Sequence, residues 1–165
     1  MPRTGRISKK SIAPDPIYQN PTIAKFINKV MMEGKKTIAQ KIVYETFDNI
    51  KKQGHDPLDI FEKAIDNITP RMEVRPRRVG GASYMVPTEV RGGRRQSLAL
   101  SWLVAAARSR PVSEFPDRPK NTPIMISKLT KEILEASQGT GKAVAKREEM
   151  HRMADANKAF AHFRW

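Results

Sequence analysis

The chain has 165 residues, no cysteine, and 31 lysines and arginines against 17 aspartates and glutamates, a formal net charge of +14. That length suits a single domain with a modest core, and the lack of cysteine excludes a disulfide framework and thiolate chemistry and fits a reducing, cytosolic compartment. The charge excess calls for a polyanionic partner, nucleic acid or an anionic membrane surface, but no apolar run approaches the ~20 residues a membrane span needs, and MPRTGRISKK lacks the apolar segment of a secretory signal.

Residues 1–13 carry Arg3, Arg6, Lys9 and Lys10 with no acid before Asp15. Too few apolar groups occur there to offset the entropy of ordering, so this reads as a flexible basic arm that orders on a polyanion. The folded part begins at Pro14 and Pro16. Asn20-Pro21 is a cap with proline at the first helical position, and Ile23, Phe26, Ile27, Val30 and Met31 follow on one face. Gly34 stops that helix. Lys35-Lys36 opens a second, with Ala39, Ile42, Val43, Thr46, Phe47 and Ile50 inward, ending near Gly54. Asp56-Pro57 repeats the cap, and Leu58, Phe61, Ala64, Ile65 and Ile68 line a third helix closed by Pro70. Three amphipathic helices with short connections imply a helical bundle.

The next stretch, RMEVRPRRVGGASYMVPTEVRGGRR, reads as a β-hairpin over about 72–90 with a two-residue turn at Gly80-Gly81. Seven arginines, Arg71, Arg75, Arg77, Arg78, Arg91, Arg94 and Arg95, sit on it or at its foot against Glu73 and Glu89. So charged a hairpin is no core element. Guanidinium groups offer planar donor forks to phosphate and stack on bases, so an arm reaching into nucleic acid is expected; the alternative is a merely solvated hairpin. LALSWLVAAA, Leu98 to Ala107, is apolar on nearly every side and should form the buried centre of the bundle, with arginines at both exits. Pro111 to Pro123 reads as a surface loop, and a fifth helix places Ile126, Leu129, Ile133 and Ala136 inward until Gly139 and Gly141 break it. Lys142 to Trp165 reads as a long basic helix, docked in part through Met150, Met153, Phe160 and Phe163. Its acids Glu148, Glu149 and Asp155 argue against a membrane-surface helix. The expected organisation is therefore mainly α, a single-domain bundle of about six helices with one protruding hairpin between helices three and four: a flexible basic arm at 1–13, the helical bundle with its hairpin at 14–141, and a basic C-terminal helix or tail at 142–165.

Chemical motifs are weak. His55, His151 and His162 have no second ligand at a metal spacing, and Glu148 to His151 matches no zinc signature. Gly139-Thr140-Gly141-Lys142 lacks the first glycine of a phosphate loop, has Ala143 where a magnesium-binding hydroxyl belongs, and follows no strand. Ser83, Ser97 and Ser101 have no adjacent base. No enzyme, metal, cofactor or small-molecule substrate is expected.

Several runs resemble the small-subunit ribosomal protein family that is seventh in the bacterial nomenclature. They are PDPIYQNPTIAKFINKVMMEGKK with IAQKIVYETF, PLDIFEKAIDNITPRMEVRPRRVGGASYMVPTEV, RRQSLALSWLVAAARSR and KREEMHRMADANKAFAHFRW, together nearly the whole chain after residue 13. The resemblance implies the same helical fold with a hairpin between the third and fourth helices. It also implies early binding to the 3′ major domain of small-subunit rRNA, nucleation of the subunit head, and an arm at the subunit interface near exit-site tRNA and mRNA. Contact with the ninth and eleventh small-subunit proteins and, in some bacteria, repression of its own messenger are further implications; the absence of a transit-like leader favours the bacterial cytoplasm over an organelle. Two departures stand out: Pro76 where the family usually has Ser, and a Pro111 to Pro123 loop longer than usual. A proline cannot donate to a ladder, so its nitrogen should face outward.

On this reading rRNA contact falls to Arg3, Arg6, Lys9, Lys10, Lys35, Lys36, Arg71, Arg75, Arg91, Arg94, Arg95, Arg108, Arg110, Lys142, Lys146 and Arg147. Within that set Lys35, Lys36, Arg71, Arg75, Arg94 and Arg95 should share a face. Arg77, Arg78, Gly80, Gly81 and Tyr84 at the hairpin tip should approach tRNA or mRNA, Tyr84 either stacking on a base or packing across the hairpin. RNA shape, not base edges, would supply specificity, because A-form major grooves hide them. A free-standing RNA- or DNA-binding regulator and a protein-binding scaffold are the rival readings; no clear recognition helix supports the first, and the arginine excess disfavours the second.

Overall fold

The computed structural model describes residues 12–116 and 122–163. Helices α1 (Pro21–Val30), α2 (Lys36–Lys52) and α3 (Pro57–Ile68) precede strands β1 (Met72–Val79) and β2 (Ala82–Glu89); α4 (Gly92–Ser109), α5 (Ile124–Ser137) and α6 (Lys142–Ala156) follow. Short 3-10 segments cover Val112–Glu114 and Lys158–Phe163. The expected fold class holds: a mainly helical body with one antiparallel hairpin between the third and fourth helices.

The caps read from sequence form. Asn20 Oδ1 accepts from the Thr22 amide at 2.8 Å and Asp56 Oδ1 from the Leu58 amide at 3.0 Å, each just ahead of a proline at the first helical position. The apolar stripes of α1, α2 and α3 meet at Phe26, Phe47 and Phe61, with Phe61 centroids 5.1 and 5.6 Å from the other two rings. All three are fully buried. Ahead of α1, Asp15 is only 2% exposed and accepts from the Ile17 and Tyr18 amides and, at 2.7 Å, from Tyr44 Oη. Burial, then the bond to Asp15, pushes the Tyr44 phenol up to about 12.

Three features differ from expectation. The hub of the bundle is α5, which packs on α2, α3, α4 and α6; α4 touches α1, α3, α5 and α6 and leaves Ala105 exposed. Sequence hides this because α5 buries Lys128, Thr130 and Glu132 along with its apolar stripe. The fourth helix also starts earlier than the apolar run from Leu98, at Gly92, taking in Gly92 and Gly93. Finally, the C-terminal helix ends at Ala156, and its inward side is Ala143, Val144 and Ala154, with Arg147 and His151 half-buried. Met153 is 42% exposed. The aromatic pair Phe160 and Phe163 lies beyond the helix, in the 3-10 segment.

Lys142 Nζ reaches the Ser109 carbonyl at the end of α4, and His151 meets Arg71 at the start of the hairpin, so α6 runs back along the body towards the arm. No helix among the described residues is long and apolar enough to cross a membrane.

Candidate nucleic-acid interface

The hairpin register pairs Val79 with Ala82 around Gly80 and Gly81, whose φ values are +57° and +89°. Two successive positive φ angles define the mirror-image turn that matches strand twist, a conformation only glycine adopts without strain. The residues flanking such a turn form a hydrogen-bonded pair, and pairs then alternate, so Pro76 opposite Met85 and Pro87 opposite Val74 both fall at non-hydrogen-bonded positions. Neither proline removes a ladder bond. Pro76 is thus compatible with a full-length arm, its nitrogen outward as expected.

The same register sorts the arginines by face. Glu73, Arg75 and Arg77 share one face with Tyr84, Val86 and Thr88; Arg78 lies on the other with Pro76, Met85 and Pro87. The tip residues expected to act together are therefore split. Tyr84 packs neither on a base-ready open face nor across the hairpin alone. Its ring sits 5.2 Å from Phe160 and 5.1 Å from Phe163, so the 3-10 segment after α6 is clasped onto β2.

At the arm's foot, Glu73 is 3% exposed and accepts from Arg75 Nε on one oxygen and from Arg94 Nε at 2.7 Å on the other. Burial works to raise its pKa, but the hydrogen bonds and charges of Arg94 and Arg75 outweigh that and hold the carboxyl below its usual range. Arg95 donates to the Val90 carbonyl and to Glu89, both at 2.7 Å. Arg71 is exposed, and its backbone amide donates to His151 Nε2 at 3.0 Å. Burial, then the Arg147 charge, depresses the His151 pKa, favouring the neutral ring that can accept this bond.

Arg108, Lys35 and Lys36 gather elsewhere. Lys35 and Arg108 flank an apolar recess formed by Val30, Met32, Ile38, Ala39, Ile42 and Met125. Arg94 and Arg108 stand fourteen positions apart on α4, ~21 Å at 1.5 Å per residue. Lys35 and Lys36 therefore do not share a face with Arg71, Arg75, Arg94 and Arg95; among the described residues expected to contact rRNA, these cations fall into two groups, one at each end of α4. Lys142 is exposed beside the Arg108 end, and Lys146, also exposed, pairs with Glu149 at 2.7 Å. Arg91, at the N-cap of α4, is exposed and makes no side-chain cap bond. Arg3, Arg6, Lys9 and Lys10 lie outside the described residues.

Two expected phosphate contacts are corrected by burial. Arg110 is 4% exposed: its guanidinium engages Glu132 and Glu135 and reaches Glu114 at 3.1 Å. Burial alone would lower its pKa, but the bonds to Glu135 and Glu132 drive it upward. Glu132, fully buried, also accepts from the Ala143 amide at 2.9 Å, so this cluster ties the ends of α4 and α5 to the first turn of α6. The turn between α5 and α6 lies against the same cluster: a Cβ on Gly141 would come within 3.2 Å of Glu135. Arg147 is the second correction. Its side chain is 26% exposed and donates to the Asn67 carbonyl at 2.6 Å, joining α6 to α3. Sequence could not separate these two from outward cations, because Glu132, Glu135 and the Asn67 carbonyl, which hold them, are distant in the chain. Among the described residues, no cluster of three histidines or acids could hold a metal.

Exposed cations on the hairpin and at both ends of α4 present positive charge over a broad surface. The chain belongs to the family described as ribosomal protein S7p/S5e, whose model matches residues 2–158. It is 52% identical to small ribosomal subunit protein uS7 of Carboxydothermus hydrogenoformans and 54% identical to that of Caldicellulosiruptor bescii, over the full length of both chains in each case. The uS7 of Pseudothermotoga lettingae is 51% identical over 99% of each chain. These relatives are ribosomal proteins, a family not known for enzymatic activity.

Proposed function

We propose that this protein is a structural constituent of the small ribosomal subunit in a bacterial cytoplasm, where it binds the 3′ major domain of small-subunit rRNA and helps nucleate the subunit head. Family membership across nearly the whole chain carries this reading, and a charge of +14 with exposed cations at both ends of α4 supports it. Binding is dominated by phosphates: Arg71, Arg75, Arg91, Arg94 and Arg95 act at the arm's foot, Lys35, Lys36, Arg108 and Lys142 at the opposite end. The arm carries Arg77 and Arg78 on opposite faces and projects towards exit-site tRNA and mRNA, while the ninth and eleventh small-subunit proteins are its protein neighbours.

Fractionating a lysate of growing cells on sucrose gradients at low and high salt tests this directly. Co-migration with the small subunit at both salts is expected. A protein found only at the top of the gradient would overturn the reading and favour a free regulator of its own messenger.

A further inference from the structure

At the foot of the arm one buried acid, Glu73, serves two half-exposed cations. Arg75 on β1 and Arg94 in the first turn of α4 are 50% and 53% exposed at the side chain, yet both bond the Glu73 carboxylate, whose side chain is 4% exposed. Each arginine uses one oxygen, Arg94 through Nε, which leaves the terminal donors of its fork uncommitted to Glu73. Two guanidinium groups bonded to one carboxylate carry like charge, and the anion between them offsets their repulsion. Glu73 supplies that anion from inside and leaves one unit of positive charge facing outward, the charge a single phosphodiester cancels. Long arginine chains otherwise lose rotamer freedom on binding, and a buried partner removes that cost in advance.

We propose that Glu73 is a positioning residue that holds Arg75 and Arg94 as a preformed two-armed socket for one backbone phosphate of RNA. This rests on the rRNA-binding reading above and adds a residue that charge alone would count against binding.

The test measures affinity of the full chain for a fragment of the 3′ major domain of small-subunit rRNA across a salt series. Bulk electrostatics requires Glu73→Gln, which removes a negative charge, to bind more tightly. The socket requires it to bind roughly tenfold more weakly, since two long side chains must then be ordered on binding, and its log–log salt slope to shrink by about 0.7–0.9, one phosphate's share. Arg94→Lys keeps the charge and loses the fork, so it should weaken binding with little change in the salt slope, and it decides the matter if Glu73→Gln does not fold. In the double variant the two losses should overlap rather than add, because Glu73 acts through Arg94. Binding by either folded single variant that equals or exceeds that of the unaltered protein overturns the socket. Failure of the unaltered protein to bind the fragment would overturn the RNA reading itself.

Discussion

Arg110 shows how a single residue can be misplaced by a correct rule. An arginine at the end of a helix in a basic chain is ordinarily solvated, yet here it is sunk among Glu114, Glu132 and Glu135. Removing one partner of a buried ion pair strands the other's charge, so Arg110→Met should cost about 3 kcal/mol or more in urea unfolding. Adding Glu132→Gln should recover part of that loss, because the amide oxygen still accepts from Ala143 while the stranded charge is gone. Acid should also destabilise the protein in two windows. His151, facing Arg147, Asp155 and Arg71, has a depressed pKa, so its contribution is complete above about 6.5 and is lost as pH falls through the lowered value. Glu73 is likewise depressed, so its contribution is complete above about 4.5 and lost below. In thermal melts from pH 8 to pH 3, His151→Gln should remove the upper step and leave the lower one.

At the scale of elements, the arm and the C-terminal segment are one mechanical unit. Tyr84 on β2 is gripped by Phe160 and Phe163, and His151 on α6 accepts from the first residue before β1. A deletion spanning the whole tip would release the C-terminal segment along with the arm. Removing only Arg78, Val79, Ala82 and Ser83 brings Arg77 and Tyr84 directly against Gly80-Gly81. That pair also sits at a hydrogen-bonded position, so the same turn can close the shorter hairpin. This variant should fold, keep C-terminal amide protection in hydrogen exchange and bind rRNA nearly normally, while exit-site tRNA occupancy or reading-frame maintenance suffers. Loss of rRNA binding instead would assign the arm's tip to the rRNA.

For the whole molecule the relevant quantity is how many phosphates are neutralised at once. On the rRNA-binding reading proposed above, cations at two ends of α4, ~21 Å apart, would reach different phosphates. Affinity for the rRNA fragment should therefore fall steeply with salt, by about 0.7–0.9 log units per log unit of salt for each phosphate contacted. Neutralising Lys35 and Lys36 together should reduce that slope independently of changes at the arm's foot, whereas Arg110 variants that remain folded should leave it unaltered.

Local chemistry was enough to read much of this protein from its residues. The Asn20-Pro21 and Asp56-Pro57 caps, the stripes of α1 to α3 and the Gly80-Gly81 turn depend on neighbours within four positions, and all formed as expected. The charge excess and family resemblance likewise needed no coordinates. What only the tertiary structure decided was which cations remain available and which elements cooperate. Arg110 and Arg147 are occupied by groups brought from other helices, Lys35 is carried away from Arg94 by the length of α4, and Tyr84 is covered by a segment more than seventy residues later. Exposure and pairing are properties of packing across long sequence separations, and a charged side chain's identity does not reveal the carboxylate or carbonyl that the fold will set beside it.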